Sequence, residues 1–102
     1  MGNVIRDASQ TIGAASVQVA VQQEGGARKA LSIINTSPSG QTISLAWGKA
    51  AVAGAGIVLY SGGSWSESED NTFQPSNMEI WAISSAAAGT ISIHERVTTR
   101  DK

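Results

Sequence analysis

The feature that most constrains this chain is side-chain alternation of period two, repeated in short runs along its length. In Ser16-Val17-Gln18-Val19-Ala20-Val21-Gln22, three valines share one face of an extended segment and small or polar residues take the other. Thr42-Ile43-Ser44-Leu45-Ala46-Trp47 puts Ile43, Leu45 and Trp47 together in the same way. Ala30-Leu31-Ser32-Ile33-Ile34-Asn35 aligns Leu31 with Ile33, and Thr90-Ile91-Ser92-Ile93 aligns Ile91 with Ile93. An amphipathic helix needs apolar positions three and four apart, and no stretch of useful length has them.

Turn chemistry separates the runs. Gln23-Glu24-Gly25-Gly26, Thr36-Ser37-Pro38-Ser39-Gly40, Ser61-Gly62-Gly63-Ser64 and Ala86-Ala87-Ala88-Gly89 each supply residues that accept tight or positive-φ backbone. Residues 30–35 and 42–47 read as a hairpin, and so do 57–60 and 65–68. Residues 48–56 contain three glycines among alanines and read as a long loop with at most one helical turn. Met78-Glu79-Ile80-Trp81-Ala82-Ile83-Ser84 carries apolar groups on both parities, as a strand covered on both faces does. Strands at roughly ten-residue spacing, seven with an eighth in residues 3–12, predict an all-β fold: a single antiparallel β-sandwich, jelly-roll or Ig-like. Residues 16–97 form the sandwich, residues 1–15 are a first strand or an arm reaching onto a neighbour, and residues 98–102 are a charged, frayed tail.

With 102 residues there is room for one domain. Charged residues make up only 15% and the formal net charge is -1, so no basic stripe exists to hold nucleic acid. There is no cysteine, hence no disulfide framework and no thiolate metal site. The N-terminal residues lack the apolar core of a secretory signal, and no run is long enough for a membrane helix. The expectation is a soluble protein made in a cytosol, without cofactor, membrane or nucleic-acid partner.

Few residues offer chemistry. His94 is the only histidine, with no nucleophile near it in sequence, and reads as a surface residue. Glu67, Glu69, Asp70 and Asn71 offer oxygen ligands, but their spacing does not match a calcium loop; they read as a solvated edge. The glycines lack the spacing of a phosphate cradle, and no Gly-x-Ser-x-Gly elbow occurs. No catalytic, metal or cofactor residue is assigned. Trp47 shares parity with Ile43 and Leu45 and reads as core. Trp81 lies opposite in parity to Ile80, so its face needs a cover, for which a partner or neighbouring subunit is expected. Val4, Ile5 and Arg6 in the N-terminal stretch, with Trp81, are the candidate partner-binding residues.

Arg28-Lys29-Ala30-Leu31-Ser32-Ile33-Ile34-Asn35-Thr36 resembles a segment of small tailed-phage virion proteins, in which a basic pair leads into an apolar strand ending in Asn-Thr. Ile43-Ser44-Leu45-Ala46-Trp47-Gly48, Gly56-Ile57-Val58-Leu59, Ile80-Trp81-Ala82-Ile83-Ser84-Ser85 and Gly89-Thr90-Ile91-Ser92-Ile93 extend the likeness over residues 28–97. Ser61-Gly62-Gly63-Ser64-Trp65 departs from it, with Ser61 where proline is expected. The resemblance implies a β-sandwich on the virion: a capsid decoration (cement) protein that binds and stabilises the assembled shell, or a head or tail fibre component. It implies the major capsid protein or another virion protein as partner, a homo-oligomer such as a trimer, and a place on the capsid surface. A receptor- or carbohydrate-binding fibre domain is the alternative.

Overall fold

A computed structural model describes residues 3–23, 28–38, 40–70, 72–73 and 75–98. Parts of three expected features lie outside them: residues 24–26 of the first turn, Ser39 of the second, and residues 99–102 of the tail. Eight strands are present: β1 (Asn3–Ile12), β2 (Val17–Ala20), β3 (Arg28–Asn35), β4 (Ile43–Trp47), β5 (Ile57–Leu59), β6 (Ser64–Ser68), β7 (Ile80–Ser84) and β8 (Gly89–Thr98). They form two four-stranded sheets, β1-β8-β3-β6 and β2-β7-β4-β5, with every pair antiparallel. The β-sandwich expected from the alternation is what the chain adopts.

The order of strands decides between the two sandwich types. Successive strands lie in opposite sheets at every connection except β4 to β5, which is the jelly-roll arrangement. An Ig-like sandwich would keep several successive pairs in one sheet. Two expected hairpins are therefore corrected. β3 and β4 belong to different sheets, as do β5 and β6, and the turns between them carry the chain across the sandwich. Alternation specifies which face of a strand is oily, but both partners of a hairpin and both halves of a crossing satisfy it equally.

Of the two readings of the N-terminus, residues 3–12 form a first strand of the chain's own sheet. β1 pairs with β8 along its whole length, from Asn3 opposite Thr98 to Ile12 opposite Gly89. Thr98 thus belongs to a strand, not to a tail.

The core lies between the sheets. Ile12, Val19, Leu31, Ile33, Ile43, Leu45, Leu59, Ile80, Ile91 and Ile93 are all buried there. Fully burying each large aliphatic side chain contributes about 1.5–3 kcal/mol relative to leaving it in water. Trp47 and Trp65 pack against this cluster, ring edge to ring face, with centroids 6.4 Å apart. The expected row of three valines is broken. The register shifts between Gln18 and Ala20, so Val19 and Ala20 both turn inward and Val21 is left 59% exposed.

Residues 48–56 connect β4 to β5 within one sheet and fold back over that sheet's outer face. The Gly54 N–H donates to Ser44 Oγ and the Ala51 N–H donates to Ser16 Oγ, each at 2.9 Å. Ser44 lies between the inward-facing Ile43 and Leu45, so its 1% exposure means that the outer face is covered here. The chain's own loop thus covers part of this face. No helix of the described residues is long and apolar enough to cross a membrane.

Candidate functional site

A concave seam runs between the sheet edges β1 and β2. It is a groove of about 370 Å³ whose walls include Val4, Arg6, Gln10, Val19, Glu95 and Val97. Pairing with β8 turns the even-numbered residues of β1 inward: Val4 lies opposite Val97, and Arg6 opposite Glu95. Arg6 Nη1 reaches across to the Val19 carbonyl at 3.0 Å and lies 3.6 Å from Glu95 Oε1. Gln10 Nε2 donates to the Gln18 carbonyl at 3.4 Å. These bonds satisfy backbone acceptors of β2, which has no strand partner on this side.

Behind the groove lies a buried charge network that period-two alternation does not reveal. Arg28 is fully buried and donates Nε to Glu95 Oε2 at 2.7 Å. Its Nη1 donates to the carbonyls of Ser76 and Met78, and its Nη2 to that of Val21. The backbone reason is a bulge in β3. Arg28 pairs with Val97 and Ala30 with Arg96, so one extra residue lets Arg28 and Leu31 both face inward. The one trace of this in the sequence is the broken alternation in Arg28-Lys29-Ala30-Leu31. Asn35 is another buried polar residue at a strand end. Its Nδ2 donates to the Gln41 and Leu59 carbonyls, and its Oδ1 accepts from the Ser37 N–H.

Of the four candidate partner-binding residues, Val4 and Arg6 share the walls of the groove, Ile5 lies on the opposite face of β1, and Trp81 is in the other sheet. Val4 and Ile5 are 49% and 55% exposed at the start of β1, where the edge of the sheet has no neighbouring strand. Arg6 is turned into the seam. Trp81 lies in the other sheet, opposite Gln18 and Ala46, on the face partly covered by residues 48–56. It is half-buried, and its indole Nε1 is buried with no protein acceptor.

The outer face of the β1-β8-β3-β6 sheet places Asp7, His94, Ser32 and Ser66 in one row. His94 Nδ1 pairs with Asp7 Oδ1, and Arg96 Nε donates to His94 Nε2 at 3.0 Å. Arg96 occupies the Nε2 lone pair that a general base would use, so the ring proton belongs on Nδ1. Ser32 and Ser66 hydrogen-bond each other at 2.6 Å. The row has an acid, a base and hydroxyls but lacks the nucleophile-to-base bond that acyl transfer needs.

The acidic residues of the β6 side disperse to separate partners. Glu67 accepts from Trp65 Nε1, Glu69 pairs with Lys29, and Asp70 Oδ1 accepts from the backbone of Thr72 and Phe73. The Thr72 N–H, then the Phe73 N–H, hold the Asp70 carboxyl below its ordinary pKa. Asn71 lies outside the described residues. Among the described residues no group of three acidic or imidazole side chains is placed to hold a metal ion.

No protein-family model and no curated protein matches the sequence. Solved structures do. A chain from Bacillus endospore appendages, described as a novel family of disulfide-linked pili, superposes with a TM-score of 0.55 at 20% identity. The match covers 97% of this chain and 90% of that one. PirA superposes with a TM-score of 0.50 at 17% identity, covering 89% of this chain and 92% of that one. At these identities the likeness is one of fold alone.

Proposed function

We propose that this chain is a non-catalytic structural protein of a tailed-phage virion, which docks on the assembled capsid shell as a decoration protein and stabilises it. The observation that carries the reading is where the residues are used. The charged and amide side chains of the interior, Arg28, Glu95 and Asn35, are bound to other parts of the same chain. The apolar side chains of the β1 edge, Val4 in the mouth of the groove and Ile5 on the outer face, are each about half exposed beside an edge with no neighbouring strand. Such an edge suits docking and strand addition. The likeness of residues 28–97 to phage virion proteins supports the virion as the setting. The shared fold with a subunit of an extended assembly, the Bacillus appendages, supports a structural role in general. Those appendages are described as disulfide-linked, whereas the 102 residues here hold no cysteine and so supply no such link.

Docking on a repeating shell multiplies weak contacts by avidity. The test is to add purified protein to shells that lack it. Co-sedimentation and a raised shell melting temperature are expected. Absence of both defeats the reading. The carbohydrate-binding alternative gains little from the tryptophans, because all three are at least half-buried.

A further inference from the structure

Two surface features of this chain are complementary to each other. One is a projection. Ile5 is 55% exposed on the outer face of the β1 edge strand, and Asp7 lies on the same face two residues on, about 7 Å further along the strand. The Asp7 carboxylate is 72% exposed, with Oδ1 held by His94.

The other feature is a recess between the facing ends of β4 and β5 and the loop that joins them. Its walls include Leu45, Trp47, Val52 and Ile57, and its volume is about 210 Å³. That leaves room for one branched aliphatic side chain. The recess is held open. Gly56 has a φ of +79°, and a Cβ there would sit 2.5 Å from the Leu45 carbonyl oxygen, so the loop closes at this point only with glycine. Ser44 and Ser16 pin the loop backbone at Gly54 and Ala51. Val52, on the recess wall, is 63% exposed. Lys49, also on the wall, is exposed and has no ion-pair or hydrogen-bond partner among the described residues.

We infer that the β4–β5 recess receives Ile5 of a second copy of this chain, with Lys49 pairing the incoming Asp7. The apolar lining suits Ile5, and Lys49 and Asp7 carry opposite charges. Removing Ile5 and Val52 from water supplies the drive, and the Lys49–Asp7 pair fixes orientation more than it adds affinity. β1 and β5 lie on opposite edges of the sandwich, in different sheets. The contact is therefore heterologous: each copy offers one projection and one recess, and repetition gives a ring or a filament. The inference is independent of shell docking, since it concerns the purified protein alone.

The experiment is sedimentation velocity on the full chain from micromolar to millimolar concentration, with Ile5→Asp, Ala50→Trp and Lys49→Glu alongside. Ala50 is an exposed residue of the recess wall, so its replacement fills the recess without touching the core. Circular dichroism confirms that each variant is folded. The wild type is expected to associate, and each of the first two variants to weaken association by roughly tenfold to a hundredfold, as loss of one buried aliphatic contact requires. The decisive arm mixes Ile5→Asp with Ala50→Trp. Each retains one intact half, so the mixture is expected to form a dimer and stop there.

A wild type that stays monomeric overturns the inference. So does an Ala50→Trp protein that associates normally, which would mean pairing through β1 edges alone, and so does a mixture that stays monomeric. A monomer that still binds shells overturns this inference and leaves shell docking standing; self-association without shell binding does the reverse.

Discussion

Arg28 and Glu95 stand 67 positions apart in the sequence and meet at 2.7 Å inside the sandwich. Three further bonds from the same guanidinium, to the carbonyls of Ser76, Met78 and Val21, tie β3 to the chain after β2 and to the segment before β7. Removing one partner of a buried pair leaves the other charge uncompensated. Arg28→Leu is therefore expected to lower unfolding free energy by about 3–5 kcal/mol, measured by urea denaturation. Arg28→Lys should recover little of this, because an ammonium does not reproduce a planar fork that serves a carboxylate and three carbonyls. A Lys variant as stable as the wild type would refute this role for the guanidinium.

Asn35 performs a comparable task without charge. It bridges the turn after β3 and the end of β5 through the carbonyls of Gln41 and Leu59. Asn35→Ala leaves buried carbonyls and the Ser37 N–H without this partner, each worth about 1–3 kcal/mol. The expected result is a drop in melting temperature larger than that of Ser66→Ala, a surface hydroxyl. Equal drops would show that the buried amide is dispensable.

Gly56 and Gly62 separate two reasons for needing glycine. Both have a positive φ, near +80°. At Gly62 a Cβ meets nothing within 4 Å, whereas at Gly56 it meets the Leu45 carbonyl. Gly62→Ala is expected to cost about 1 kcal/mol, the left-handed penalty alone. Gly56→Ala should cost more than this and should also displace the β4–β5 loop, visible as amide shifts at Ala51 and Gly54. Equal costs at the two sites would mean that the Leu45 carbonyl yields freely to a Cβ.

Asp70 sets a pH dependence whose sign follows from its bonds. Its carboxyl sits below the ordinary aspartate value because the Thr72 and Phe73 N–H groups favour the charged form. The folded state thus binds this proton less readily than the unfolded chain does. The contribution is present above the unfolded value of about 3.9 and disappears as pH falls through the lower folded value. Carboxyl NMR should place the Asp70 midpoint below that of a model peptide, and Asp70→Asn should remove the matching part of the acid slope. A midpoint at the peptide value would contradict the turn geometry.

Much of the architecture is legible in the residues themselves. Side chains of an extended chain point alternately to opposite faces, so the spacing of Ile43 with Leu45, and of Ile91 with Ile93, is enough to mark oily faces that the fold then buries. Glycine-rich and serine-rich segments mark where the strands stop. What alternation leaves open is which strand lies beside which, because every oily face is satisfied by any other. Only the tertiary structure places β3 and β4 in opposite sheets and makes the sandwich a jelly roll. Only the two bulges, at Gln18–Ala20 and Arg28–Ala30, decide that Val21 faces water and Arg28 faces the core. A bulge moves side chains by one position and leaves composition unchanged, so its effect on burial becomes visible only when the partner strand is present. The recess by Lys49 has the same origin: it is a run of common residues until folding brings its walls together.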